Sequence, residues 1–171
     1  WHKAELKISD YPIQFDDRYY IALNVPEDIK VLAINNNIDN RNLTALIKGL
    51  NLYNLTNQDQ NRVDYSKIKE YDLVILNDLT EISSGLASEL DIYIVNGGNV
   101  IEFPGEYASI DSYNNFLNNL SANNLTAIQN EKKSVSSMNE EEFIFRDVYE
   151  YVGRNITLPA VNQSFGLTNY Q

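Results

Sequence analysis

The sequence predicts an α/β domain built on a parallel sheet that carries helices on both of its faces. Three observations predict it. Short apolar segments alternate with amphipathic ones at a spacing of about 25–35 residues, as strand–helix–strand units with right-handed crossovers do. The apolar segments are nearly continuous, which is typical of parallel strands buried on both sides. A Gly97-Gly98 pair stands where the longest helical pattern stops and a new strand begins.

Residues 1–28 are predicted to form a β-hairpin in front of this α/β core. The stretch "KAELKIS" alternates, with Ala4, Leu6 and Ile8 on one side and charged residues on the other. A second strand, "RYYIALNV", ends at Pro26. Two strands cannot bury both of their faces, so we interpret the hairpin as the remnant of a preceding β-sandwich domain. We expect it to pack on the core.

Four segments within residues 29–122 are the predicted core strands. In chain order they are "IKVLAI", "NLYNLTN", "YDLVIL" and "NVIEF". We expect the fourth, from Asn99 to Phe103, to be a buried strand.

Helical patterns occupy the segments between and after these strands. The first predicted helix is "RNLTALIKGL", where leucine and isoleucine recur at helical spacing. The second, "DYSKIKEY", is a short helix. Two longer helices are predicted to start in "SSGLASEL" and "SIDSYNNFL". Oxygen-bearing side chains stand at their starts, where they satisfy free backbone N–H groups. The predicted capping residues are Asp64, then Ser83 or Ser84, then Asp111 or Ser112.

Residues 123–171 are predicted to be a mixed, β-rich appendage packed on the core. The stretches "LTAIQNEK", "SVSSM" and "NITLPAVNQSFGLT" favour strands or extended chain. In "EEEFIFRDVY" we expect a short helix that buries Phe143, Phe145 and Val148. We expect the appendage to pair with the N-terminal hairpin in a small subdomain.

Composition and charge exclude several classes of function. The 171 residues carry a net charge of −11, which excludes a nucleic-acid binder with a basic footprint and direct docking to anionic lipid. There is no Cys, so a thiolate nucleophile and a Cys-ligated metal are excluded. The single histidine is His2, which makes a Ser-His-Asp triad or a His-based metal site improbable. We predict no cofactor and no metal.

Three loops qualify as a ligand crevice, because open α/β sheets bind ligands beyond the carboxyl ends of their strands. The loops would deliver Asn35, Asn36 and Asn37 after the first strand, Asn77 and Asp78 after the third, and Pro104, Gly105 and Glu106 after the fourth. Amides and carboxylates there, with Tyr107 as a stacking platform, would suit a small molecule or a glycan.

Asp78 and Glu106 leave two further interpretations open. A carboxylate pair is what glycoside hydrolysis requires, but the required separation cannot be deduced from a sequence. Both carboxylates could instead cap helix N-termini, which is the commoner role of such loop residues. The Gly97-Gly98 pair is not a phosphate loop, since it follows a helix and opens a strand.

The stretch "YDLVILNDLTEISSGLASELDIYIVNGGNVIEFPGE" resembles the class I glutamine amidotransferase-like superfamily. Together with "DYPIQFDDRYYIALNVPEDIKVLAINNN", it is similar to the soluble region of the BatA-type aerotolerance proteins of Bacteroidetes, over residues 10 to about 118. The resemblance implies a flavodoxin-like domain after an immunoglobulin-like β region. It also implies a longer, membrane-anchored chain at the periplasmic face of the inner membrane, with the anchor outside this segment. Other envelope proteins would then be its partners.

The chain departs from active amidotransferases at the residues that perform their chemistry. Those enzymes resemble this chain in the arrangement of strands and helices. They carry a Cys in the loop that follows the strand and a His further along the chain. Here Pro104, Gly105 and Glu106 follow the strand, and no His lies downstream. Glutaminase activity is therefore excluded. We expect a non-catalytic protein-interaction module, with a small-molecule or glycan binder as the alternative and a carboxylate-based hydrolase as the third.

Overall fold

A computed structural model of the chain describes residues 2–8, 17–23, 28–37, 40–50, 52–136 and 159–168. Strands β1 (His2–Lys7) and β2 (Arg18–Leu23) form an antiparallel hairpin, in which Leu6 lies opposite Tyr19. Every residue of the two strands is exposed. The packing of this hairpin on the core that we expected is thus not present among the described residues. Its assignment to a preceding domain, with a boundary at residue 28, stays a prediction.

The centre of the fold is a four-stranded parallel sheet. Its strands are β3 (Ile29–Asn35), β4 (Tyr53–Asp59), β5 (Leu73–Asn77) and β6 (Asn99–Phe103). They lie in the order β4–β3–β5–β6, and each neighbouring pair is parallel. The chain moves outward from β3 to β4 and then crosses back to β5, so the strand order reverses between β3 and β5. This confirms the predicted α/β class and a flavodoxin-like arrangement.

Helices connect and flank these strands much as the patterns predicted. They are α1 (Arg41–Lys48), a 3-10 helix (Tyr65–Glu70), α2 (Ser84–Val95) and α3 (Ile110–Asn119). The predicted caps Asp64 and Ser83 are confirmed, since each side chain accepts a backbone N–H of the turn that follows it. The prediction for α3 is wrong, because the hydroxyl of Ser109 accepts from Ser112 N and the helix begins at Ile110. Among the described residues, no helix combines the length and apolarity that a membrane crossing requires.

The Gly97-Gly98 pair ends α2 as predicted. Gly97 has a φ of +91°, the left-handed region that favours glycine. Gly97 N donates to Ile94 O at 2.9 Å, and Gly98 N donates to Tyr93 O at 2.9 Å. These two bonds satisfy carbonyls at the end of the helix, as in a Schellman motif. A Cβ at Gly98 would overlap the Tyr93 ring, so the second glycine is required for close packing.

The two faces of the sheet are covered to different extents. Even-numbered strand residues such as Leu32 and Leu76 join α2, α3 and the 3-10 helix in the larger core, which contains the fully buried Tyr113. Odd-numbered residues such as Val31 and Ile75 form a smaller cluster, against which Leu43 of α1 packs. Helices thus lie on both faces, but a single helix covers the smaller one among the described residues.

Strand β6 is an edge strand, and our expectation that it is buried is wrong. Its residues alternate between exposed and partly buried positions. Ile101 is 44% exposed and Phe103 52% exposed, on the face that α1 covers elsewhere. The reason is strand order: β5 shields one edge of β6, and no described strand pairs with the other. An apolar surface therefore lies beside an open backbone edge.

The C-terminal part contributes short antiparallel pairs. β7 (Leu125–Gln129) pairs with β10 (Ser164–Leu167), and β8 (Lys133–Ser134) pairs with β9 (Ala160–Val161). The start of β7 is held on α3, since Leu125 N donates to Asn114 Oδ1 at 2.7 Å and Asn114 Nδ2 donates to Leu125 O at 3.0 Å. Among the described residues, the N-terminal hairpin pairs only with itself. The helix that we predicted around Phe143 lies outside the described residues.

Candidate functional site

The four parallel strands end at one level, which brings the predicted loop residues to one edge of the sheet. Asn35 at the end of β3 lies opposite Asp59 of β4 and Asn77 of β5, and Asn77 lies opposite Phe103 of β6. The reversal in strand order falls between Asn35 and Asn77, which is where open α/β sheets usually hold their ligands. This edge is therefore the first place to look for a binding site.

Asn35 is buried at this point, and its side chain is occupied by neighbours. Its Nδ2 donates to Ala33 O at 3.1 Å and to Asn57 Oδ1 at 3.2 Å. Its Oδ1 accepts from Asn77 Nδ2 at 3.0 Å and also from Asn40 Nδ2. A carboxamide can donate two hydrogen bonds and accept two, so Asn35 has no capacity left for a ligand. The structure places it beneath the edge and not on a crevice wall.

Other amides extend this network around Asn35. Asn40 Nδ2 also donates to Asn57 Oδ1 at 2.9 Å, and Thr44 Oγ1 of α1 donates to Asn40 Oδ1 at 2.7 Å. On the solvent side, Gln60 Nε2 donates to Asn36 Oδ1 at 2.8 Å. The network joins β3, β4, β5 and α1, so its amides stabilise the strand ends. Asn36 is partly buried at its rim.

Asp78 and Gly105 meet where β5 and β6 end. Asp78 has a φ of +58°, which an aspartate tolerates better than most residues do, and its N donates to Phe103 O at 2.9 Å. The Asp78 carboxylate lies so close to Gly105 that a Cβ at position 105 would overlap it. The structure thus brings Asp78 and Gly105 together, as a close contact between two loops.

Pro104 and Glu106, two of the remaining predicted residues, lie on the side of this contact that faces β7 and β10. Pro104 and Glu106 line a cavity of about 210 Å³ together with Gln163, Ser164 and Phe165 of the segment around β10. Tyr107 is 79% exposed and does not line that cavity. The three loops therefore share one edge, but they do not form one crevice: Asn35 and Asn77 bond to each other, while Pro104 and Glu106 face β10. Whether these residues bind a ligand stays a prediction.

The electrostatics single out a residue that the sequence analysis did not propose. Glu102 of β6 lies on the larger-core face, opposite Leu76 in the sheet register. Burial raises the pKa of its carboxyl to about 7, since a charged group is disfavoured away from water. The nearby Tyr113 is fully buried, and its pKa is raised by burial first and then by the charges of Glu102 and Asp78. Its hydroxyl donates to Leu79 O at 3.0 Å.

A signal for Glu102 was present in the sequence. The stretch "NVIEF" holds one acidic residue in an otherwise apolar strand, and Val100 shares its face. The exposed Ile101 and Phe103 show that the apolar residues of this strand are divided between two faces. Within the part of the chain that the structure describes, no group of three or more acidic or histidine side chains could hold a metal ion.

Comparison with known proteins identifies the fold. No protein-family model and no curated protein matches the chain. Among solved structures, the chain is similar to a ThuA-like protein from Bacteroides uniformis ATCC 8492, with a TM-score of 0.56 and 17% sequence identity. The alignment covers 87% of this chain and 64% of the ThuA-like chain, so this chain spans less than two thirds of the length of the ThuA-like protein. At this identity the likeness shows the fold alone, which is the class I glutamine amidotransferase-like fold that the sequence resemblance implied.

Proposed function

We propose that the chain is a non-catalytic protein-interaction module that uses the edge strand β6. The exposed apolar pair Ile101 and Phe103, beside a strand edge with which no described strand pairs, is the observation that carries the proposal. Exposed apolar patches next to polar rims mark protein contacts, and natural proteins usually cover or charge such an edge. This edge carries neither a proline nor a lysine to block pairing.

The occupied strand ends support the non-catalytic part of the proposal. The fold's glutaminase relatives need a thiolate, and this sequence has no Cys. Where a substrate would sit, the Asn35 and Asn77 amides bond to each other, and the Asp78 carboxylate lies against Gly105. Amides that bond to each other in this way are unavailable for orienting a substrate.

The proposal extends to the chain's cellular setting. The resemblance to BatA-type aerotolerance proteins supports a role in the bacterial envelope. There the chain would form part of a longer, membrane-anchored protein, facing the periplasm at the inner membrane, with other envelope proteins as its partners. Segments outside the 171 residues would supply the anchor.

Affinity capture from an envelope fraction tests this function. The measurement is which proteins are retained by the wild-type chain and by two matched variants. Phe103→Asp places a charge on the proposed surface, whereas Val95→Asp changes a residue that is 85% exposed at the end of α2. We expect the wild-type chain and Val95→Asp to retain the same protein and Phe103→Asp to lose it. Equal retention by all three, or turnover of a substrate by the purified chain, would contradict the proposal.

A second candidate is a small-molecule or glycan binder at the predicted crevice. The cavity between Pro104, Glu106 and Phe165 favours it, because an aromatic ring beside a carboxylate and the amide of Gln163 suits a sugar. Its volume of about 210 Å³ is small for such a ligand. A thermal-shift screen with saccharides at about millimolar concentration tests it, and a shift abolished by Glu106→Ala would support it.

The carboxylate-based hydrolase remains the third candidate. It would use Asp78 and Glu106 as an acid and base pair, although Asp78 is held against Gly105. Should hydrolysis of any glycoside be detected, Asp78→Ala or Glu106→Ala should abolish it. An unchanged rate in both variants would reject the assignment.

A further inference from the structure

We propose that the partner of this module is an extended segment of another protein, which adds a strand to the free edge of β6. A lysine or arginine of that segment would lie beside Glu102, and the residues before and after it in the partner's sequence would be apolar. This inference rests on the proposed function and specifies its surface and the chemistry of its partner. It follows from three features of β6 among the described residues. The Glu102 carboxylate has no partner, an apolar groove lies between the strand and α3, and the side chains of the strand alternate between two faces beside an edge that no strand pairs with.

Glu102 has no counter-charge among the described residues. Within the described chain, no hydrogen bond or ion pair reaches its carboxylate, and burial is the one influence that shifts its pKa. Its neighbours on this face in β5 and β6, which are Val74, Leu76 and Val100, are all aliphatic. A partly buried carboxylate in this setting needs a proton or a cation. A basic side chain from a partner would supply the cation.

The groove beside Glu102 has the shape and polarity for the stem of such a side chain. A cavity of about 510 Å³ runs between β6 and α3, and it is lined by Val100 and Glu102 on one side and by Phe116, Leu117 and Leu120 on the other. The cavity also reaches the backbone edge of β6, because Ile101 lines it although the Ile101 side chain faces the opposite side of the sheet. Lysine and arginine bury their methylene stems against apolar walls while their heads meet a charge.

The free edge gives the partner its conformation. β6 pairs with β5, and no other described strand pairs with it. An added strand would place one side chain next to Glu102, at about 5 Å between Cβ atoms, on the groove face. The two neighbours of that residue would point to the other face, where Ile101 and Phe103 are exposed. The predicted partner sequence is therefore apolar, basic, apolar.

Pairing of β6 with the β6 of a second copy of this chain fits the edge less well. The chain's net charge is −11, and an antiparallel pairing of two β6 strands centred on Ile101 would bring in no basic residue, since "NVIEF" has none. The carboxylates of both copies would stay without a cation. A partner strand with a basic residue resolves this, so we expect no dimer formed by pairing of β6 with β6.

Matched peptides and amide chemical shifts of the ¹⁵N-labelled 171-residue chain test the inference. The probes are peptides of about nine residues that alternate threonine and valine, with lysine, glutamine or glutamate at the central groove-facing position. We expect the lysine peptide to shift the β6 amides and to bind about tenfold more tightly than the glutamate peptide. Glu102→Gln should remove this preference, while Glu70→Gln, at an exposed position of the 3-10 helix, should keep it. N-methylation of the peptide's edge-facing amides should abolish binding, because it removes the strand pairing.

The outcomes separate this inference from the proposed function. Absence of β6 shifts at about 1 mM lysine peptide, equal binding of all three peptides, or shifts that appear only as the chain dimerises would overturn the inference. If Phe103→Asp still abolished capture from the envelope fraction in that case, the proposed function would stand with a different partner chemistry. Wild-type capture that is indifferent to Phe103→Asp would overturn the proposed function itself.

Discussion

Asn35 and Glu102 are two polar residues on strands of the same sheet, and their surroundings differ. Asn35 is completely buried, and its amide makes hydrogen bonds to groups of β3, β4 and β5. Glu102 is partly buried, and among described residues it has no polar partner. The first residue stands where the fold usually binds ligands, and the second belongs to an edge strand. The difference indicates that this chain uses the customary ligand position for stability and carries a partly buried carboxylate elsewhere in the sheet.

The largest expected effect tests the structural role of Asn35. Asn35→Ala leaves the amides of Asn40, Asn57 and Asn77 without their common partner in a buried place, so we expect the free energy of unfolding to fall by about 3 kcal/mol. Urea unfolding measures it. Asn118→Ala, on the exposed side of α3, is the control and should change stability by less than about 0.5 kcal/mol. A similarly small loss for Asn35→Ala would show that the network is not structural.

The contact between Asp78 and Gly105 comes next. Gly105→Ala forces the Asp78 carboxylate to move, and we expect a loss of about 2 kcal/mol in unfolding free energy. Asp78→Gly removes that carboxylate and suits the φ of +58°, so in this background Gly105→Ala should cost about 1 kcal/mol less. A double-mutant cycle by urea unfolding measures the coupling. Additive effects would mean that the two loops do not constrain each other.

The pH dependence of stability probes Glu102. Its pKa in the folded state, about 7, is raised above its ordinary value of 4.5, so the folded state binds more protons than the unfolded state between these values. Stability from this group is therefore fully present below pH 4.5 and is lost as pH rises to about 7. Because solvent reaches the carboxyl, we expect a loss of about 1.5 kcal/mol between about pH 5 and pH 8, relative to Glu102→Gln. Parallel profiles for the two proteins would contradict this.

The smallest effect concerns a satisfied polar group on the surface. Ser83 Oγ accepts from Leu86 N at 3.2 Å at the start of α2, so Ser83→Ala should lower the unfolding free energy by about 1 kcal/mol. The neighbouring Ser84, the first helical residue, provides the matched control, since Ser84→Ala removes no capping bond. Thermal unfolding of both variants gives the comparison. If the two substitutions had equal effects, the cap would not contribute.

Local signals explain why the fold could be predicted from the sequence. Strands β3 and β5 are apolar on both faces, and the ends of α2 are marked by Ser83 and by Gly97, whose backbone requirements are local. The edge position of β6 could not be predicted in this way, because strand order depends on contacts between distant parts of the chain. The start of α3 was missed since Ser109, Asp111 and Ser112 are all good caps, and the choice depends on packing.

The site was predicted less well than the fold, for the same reason. The loops of Asn35, Asn77 and Gly105 do share one edge of the sheet, as parallel topology requires. That Asn35 is fully occupied depends on Asn57 and Asn77, which lie 22 and 42 residues away. The burial of Glu102 depends on residues of α3 across the groove from β6, so the single acidic residue in "NVIEF" marks the position but does not report its burial.

Photo-cross-linking at position 103 tests the central claim most directly. A benzoylphenylalanine in place of Phe103, in the protein expressed in its native host, is compared with one in place of Val95, a helix position that is more exposed than Phe103. We expect one discrete cross-linked partner protein from position 103 and none from position 95, with the adduct reduced when Glu102→Gln is added. A chain that remains uncross-linked at position 103 under native expression, or equal labelling from both positions, would contradict the account.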